Sequence, residues 1–128
     1  RRVSSVREAF ARYLHDRGEV NVPKSRLPVA EGISLIRGAG GVASWAHPFY
    51  DGTRQRLAEL RRLGLQAIEV EYPTHRDSWK SQLRAWANEL RLAITGGSDC
   101  HGPEPLGRVV GACGITVSEL KHLRQLIP

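Results

Sequence analysis

Methionine is absent from the 128 residues, and cysteine occurs only as Cys100 and Cys113. Two thiols cannot staple a disulfide framework, so reduced side chains in a cytoplasmic protein are the expectation. Aromatics are scarce, at 6% of the chain. Few are interleaved with the basic residues, which argues against a module that reads nucleic-acid sequence. No stretch approaches the roughly 18 consecutive apolar residues of a membrane helix, and no secretory h-region lies near the start. A membrane partner is therefore not expected. A chain that opens on Arg1 and has no methionine is what a fragment, a processed form or a renumbered chain would present.

What is there is enough for one core. Hydrophobic residues make up 41% of the chain and charged residues 25%, ordinary values for one globular domain at most. The net charge of +6 is uneven: residues 1–44 hold eight Lys/Arg against four Asp/Glu. A basic surface favours anionic partners, whether nucleic acid or phosphorylated small molecules.

Ser5 followed by Glu8 reads as a capping box, and Val6, Ala9, Phe10, Tyr13 and Leu14 recur at helical spacing as far as Gly18. "NVPKSRLP" (21–28) is a connection, with Pro28 suited to a first helical turn. Ile33, Leu35 and Ile36 carry a second helix to Gly38. From Gly40 the pattern alternates: a buried strand in "GGVASWAHP" (40–48) ending at His47, then a helix capped by Thr53 with Leu57, Leu60 and Leu63 on one face. Another strand, "LQAIEVEYP" (65–73), precedes a helix capped by Asp77 that carries Trp79, Leu83, Trp86 and Leu90. A third strand, "RLAITGGSD" (91–99), leads to a closing helix, "TVSELKHLRQLI" (116–127), with Leu120, Leu123 and Ile127 inward. Strand, helix, strand, helix, strand predicts an α/β fold with a parallel sheet.

In such sheets function gathers at the carboxyl ends of the strands. His47 and the Asp99–His101 pair are expected there, with Glu71 and His75 after the middle strand. Residues two apart on an extended backbone share a side, so Asp99 and His101 can face one pocket while Cys100 turns away. A carboxylate and an imidazole form the mixed oxygen and nitrogen donor set of Zn, Mn or Fe. The plainer readings stay open beside this one. A strand-end histidine is often hydrogen-bonded to a carbonyl, Glu69 could sit in an ordinary ion pair rather than support the ligands, and His75 could serve a turn rather than a substrate. His15 and His122 read as companions of helix C-termini.

"GGVASWAHP", "LQAIEVEYPTH" and "AITGGSDCHGP" resemble, in order and spacing, the later motifs of the PHP (polymerase and histidinol phosphatase) family. The branch they resemble is that of the nucleotide phosphatases and 5′-to-3′ exonucleases, and "SVREAFARYL" with "VPKSRLP" resembles its helical insertion. The resemblance implies a distorted (β/α)7 TIM-like barrel, of which this chain would be the C-terminal βαβαβ portion (40–128) preceded by the insertion (1–39). It implies a metal-dependent phosphoesterase using divalent Mn, Zn or Fe, in which metal-activated water attacks a phosphorylated nucleotide or short oligonucleotide. Carried over by position, His47, Asp99 and His101 match metal ligands, Asp99 and His101 being catalytic; His75 and Glu69 match residues near the pocket. The family's opening His-x-His and further ligands have no counterpart here, so either a missing N-terminal half or self-association is expected, and the chain alone is expected to be inactive. Two other classes remain: a non-catalytic piece binding a partner or nucleic acid through its basic N-terminal helices, and a metallohydrolase of C–N bonds.

Overall fold

Thr53 begins the first well-packed helix. Its hydroxyl accepts the Arg56 N–H at 3.2 Å, and the helix α3 runs Arg54–Arg62 with Leu57 buried beneath it. The structure is a computed structural model describing residues 3–15, 18, 20, 26–49, 51–102 and 108–127. Before α3 come α1 (Val6–Ala9), continued by a wider π-helical segment over Phe10–Leu14, then α2 (Val29–Gly38) and β1 (Ser44–Trp45). After it come β2 (Ala67–Glu71), α4 (Asp77–Leu90), β3 (Ala93–Gly96) and α5 (Val117–Arg124).

The three strands form one parallel sheet in the order β1-β2-β3. On the middle strand Ala67, Ile68 and Val70 are sealed from solvent, while Glu69 and Glu71, which alternate with Ile68 and Val70, are half-buried. Leu57, Leu65, Leu83, Ala87, Leu92 and Ile94 complete the core around it, with Trp79 and Trp86 in an edge-to-face contact at 5.6 Å along α4. The pairing of β2 with β3 slips between Glu69 and Glu71. At that slip Gly96 lies so close to β2 that an added Cβ would stand 2.5 Å from the Glu71 Cβ.

Several expected elements change. The first strand shrinks to two residues. α4 begins at Asp77 with Arg76 at the cap position, so Asp77 is the first helical residue rather than the cap. α2 is capped by Pro28 and buries Ile33, while Leu35 and Ile36 stay exposed. On α1 the Ser5 hydroxyl accepts the Glu8 N–H as expected, but the Glu8 carboxylate returns to Ser4 instead of Ser5. Hydrogen bonds from Ser4 and Arg12 hold the Glu8 carboxyl down at about 2. The apolar face of that helix is not covered by the described residues: Val6 and Phe10 are exposed. α5 gains a full capping box from Thr116 and Glu119, yet Leu120 and Ile127 remain partly in solvent. The expected connection at 21–28 lies largely outside the described residues.

One ion-pair network ties the sheet to the last helix. Glu71, at the end of β2, accepts from Lys80 at 2.9 Å and from Arg84 at 2.6 Å, and Arg84 also binds Glu119 of α5. Burial alone would raise the Glu71 and Glu119 carboxyls, but these hydrogen bonds outweigh it and hold both below their ordinary value of 4.5. Carboxylates held low stabilise the fold above that value and lose the contribution as pH falls through the lowered one. Arg84→Met is therefore expected to lower stability at pH 7 by on the order of 1 kcal/mol. Thermal melts from pH 7 down to pH 3 should show the gap between the two proteins closing in acid; a gap that does not vary with pH would contradict the assignment.

Candidate functional site

The ends of β1 and β3 carry unusual backbone. Only three described residues other than glycine have positive φ: His47 at 29°, Arg91 at 52° and Asp99 at 50°. Arg91 closes α4, with the Leu92 N–H returning to the Ala87 carbonyl at 2.9 Å. His47 and Asp99 close no helix, and left-handed backbone in residues bearing a Cβ is a conformation that persists only where surroundings enforce it.

The enforcing contacts are visible. The His47 N–H donates to Glu69 Oε2 at 2.7 Å, which pins the end of β1 to the middle strand. Tyr72, one residue past β2, connects the two strained positions. Its ring packs 5.1 Å from the His47 ring, and its hydroxyl donates to Asp99 Oδ2 at 2.9 Å. Burial and the bond to Asp99 both push the Tyr72 phenol up, so it stays protonated as a donor at neutral pH. Arg108 lies over the Tyr72 ring at 5.5 Å and gives Asp99 Oδ2 a second hydrogen bond at 2.9 Å.

Asp99 and His101 are adjacent, though not as two side chains on one face of a strand. Positive φ at Asp99 breaks the alternation, and the His101 Nδ1 donates to the backbone oxygen of Asp99 at 2.7 Å while standing 3.7 Å from its Oδ1. The His101 side chain is 68% exposed, and Cys100 between them is also exposed. His75 is buried at 5% exposure, its Nδ1 donating to the Val70 carbonyl at 2.9 Å. Glu71, expected beside this group, is instead held by Lys80 and Arg84 of α4.

The donors fit a divalent ion in kind, as a carboxylate and two imidazoles, but they do not enclose one. Among the described residues no three His, Cys, Asp or Glu side chains come together as a metal site. Asp99 Oδ2 is already taken by Tyr72 and Arg108. His47, Asp99 and His101 therefore do not by themselves form a three-donor group among the described residues. Tyr72 and Arg108 are the residues sequence reasoning missed. For Tyr72 a signal existed, because a buried phenol at a strand end needs a partner for its hydroxyl; Arg108 lies in a segment with no periodic pattern.

The family model described as PHP-associated matches residues 78–117. A 5′-3′ exoribonuclease of Haemophilus influenzae is 30% identical over 107 residues, spanning 80% of this chain and 39% of that protein. A 3′,5′-nucleoside bisphosphate phosphatase of Chromobacterium violaceum is 32% identical over 114 residues, spanning 85% and 40%. The chain thus spans about two fifths of the curated relatives it matches, 39% and 40% of their lengths. Among solved structures, a provisionally assigned metal-dependent phosphoesterase of Bifidobacterium adolescentis superposes with a TM-score of 0.74 at 24% identity, over 94% of this chain and 44% of that one. That likeness establishes the fold.

Proposed function

The chain belongs to the PHP family, matching its C-terminal part, and from that premise we propose that it forms one side of a metal-dependent phosphoesterase site acting on phosphorylated nucleotides or short oligonucleotides. In this reading residues 40–128 are the C-terminal portion of the barrel and residues 1–39 its helical insertion. His47, Asp99 and His101 are the metal ligands this chain contributes, and further donors complete the set.

The observation that carries the proposal is the bridge made by Tyr72. A single buried phenol touches the His47 ring and holds the Asp99 carboxylate, and those are two of the three described non-glycine residues with positive φ. Strain held in place by a shared partner is characteristic of sites where geometry matters more than stability. Glu69 fixes the backbone of His47, and Tyr72 fixes one oxygen of Asp99. The Nδ1 bond of His101 leaves its Nε2 as the ring atom with a free lone pair. Arg108 supplies a positive charge next to Asp99, suited to a phosphoryl oxygen.

The discriminating experiment measures phosphate release from a 3′,5′-bisphosphonucleoside by the assembly in which further donors complete the metal set, supplied with Mn or Zn, beside an amide substrate of similar size. Release from the phosphate ester alone supports the reading; turnover of the amide alone would replace it with C–N hydrolysis. Tyr72→Phe is expected to lower kcat by about tenfold with KM little changed, since the phenol acts through Asp99 rather than on substrate. The same variant should lose only about 1 kcal/mol of stability, the worth of one hydrogen bond. An unchanged kcat would remove Tyr72 from the site.

A further inference from the structure

The Arg108 guanidinium holds Asp99 from a segment that belongs to neither β3 nor α5. One of its nitrogens donates to Asp99 Oδ2 at 2.9 Å, and its carbon stands 5.5 Å from the centre of the Tyr72 ring. The remaining N–H groups of the fork make no hydrogen bond to the described residues. With the Tyr72 hydroxyl on the same atom, both lone pairs of Oδ2 are occupied. Oδ1 differs. It receives no hydrogen bond from the described residues, and the His101 Nδ1, 3.7 Å away, donates instead to the Asp99 backbone oxygen.

Asp99 therefore has one oxygen open to a cation and the other already shared with one. A divalent ion on Oδ1 stands across the carboxylate from the guanidinium, and the two cations repel. The side chains of Arg108 and Asp99 are 31% and 30% exposed, so water screens that repulsion only in part. Arg108 can turn away without opening the core, because it is no member of the buried cluster around β2. Local charge favours the exchange. Asp99 and Glu69 both act on the Tyr72 phenol and Arg108 opposes them. With the imidazoles neutral, as ligands must be, two carboxylates and one guanidinium leave a single negative charge. A divalent ion reverses its sign, and the guanidinium then meets an anion more favourably than it meets Asp99.

We infer that Arg108 competes with the divalent ion for the Asp99 carboxylate, and that the displaced guanidinium binds the phosphoryl oxygens of the substrate. The inference rests on the metal-dependent reading above and adds a coupling to it. Metal and anion each favour the binding of the other, with Arg108 as the residue that links them.

Binding of Mn²⁺ to the purified protein, read from the loss of the free ion's electron paramagnetic resonance signal, tests this without any turnover. Arg108→Gln removes the competitor and is expected to bind Mn²⁺ about fivefold more tightly. Arg108→Lys, which keeps the charge, should stay nearer the parent. An arginine that merely orients Asp99 predicts the opposite sign, a weaker site in Arg108→Gln. Inorganic phosphate, compared at matched free Mn²⁺, should tighten Mn²⁺ binding more in the parent than in Arg108→Gln. Equal or weaker Mn²⁺ binding by a folded Arg108→Gln, or the same phosphate effect in both proteins, would overturn the inference and leave the metal reading standing. Asp99→Asn separates the two claims. Mn²⁺ binding that this variant leaves unchanged, or no binding by the parent up to about 1 mM, would remove the metal reading and this inference with it.

Discussion

Asp99→Asn is expected to lower phosphate release by about two to four orders of magnitude while leaving the fold nearly untouched. Asparagine accepts left-handed backbone about as readily as aspartate, so φ of 50° at this position survives the exchange. The amide keeps an oxygen for the Tyr72 hydroxyl but gives up the negative charge that faces Arg108 and His101. Losing a part-exposed pair with Arg108 costs at most about 1 kcal/mol. A large fall in turnover with a melting temperature within a few degrees of the parent is the expected pattern. Unchanged turnover would show that Asp99 has no part in the reaction.

The sequence made the middle of this fold legible and its edges less so. The alternation of Ile68, Glu69 and Val70, and the recurrence of Trp79, Leu83 and Trp86, are periodic patterns set by burial, and β2 and α4 stand where they imply. The α1 segment has the same periodicity, but the face it presents is uncovered among the described residues. Periodicity reports what a segment could bury, not whether a partner is there. At the site, Asp99 and His101 follow the third strand as expected, yet two-residue alternation misjudges how they face. The rule assumes extended backbone, and a left-handed residue cancels it. The bridge through Tyr72 joins positions 27 residues apart, which no local pattern encodes.

The largest stability effect is expected at Gly96. An alanine methyl there would stand 2.5 Å from the Glu71 Cβ and 2.8 Å from the Glu71 carbonyl oxygen. Neither contact is with the far end of a flexible side chain, so relief requires β2 and β3 to part where their register already slips. Overpacking of this kind costs about 1–3 kcal/mol, and separation of paired backbone adds to it. Gly96→Ala is therefore expected to lose about 3 kcal/mol or more in urea titration, and to drag the Glu71–Arg84–Glu119 network with it. A loss below about 1 kcal/mol would mean that the two strands do not approach as closely as described. Gly97→Ala is the control, since its nearest neighbour would be the Glu69 carboxylate at 3.9 Å.

The central proposal is that His47, Asp99 and His101 are the donors this chain contributes to a divalent-metal site that further donors complete, with Tyr72 between the strand ends that carry them. Adding Mn²⁺ in small steps to isotope-labelled protein and recording which backbone amide signals broaden tests it directly, because the paramagnetic ion acts only on nearby nuclei. The account predicts that signals around residues 47, 72 and 99–101 broaden first and together, and that Asp99→Asn abolishes the effect. Broadening centred elsewhere on the surface, or broadening near residues 99–101 that leaves His47 and Tyr72 sharp, would contradict it.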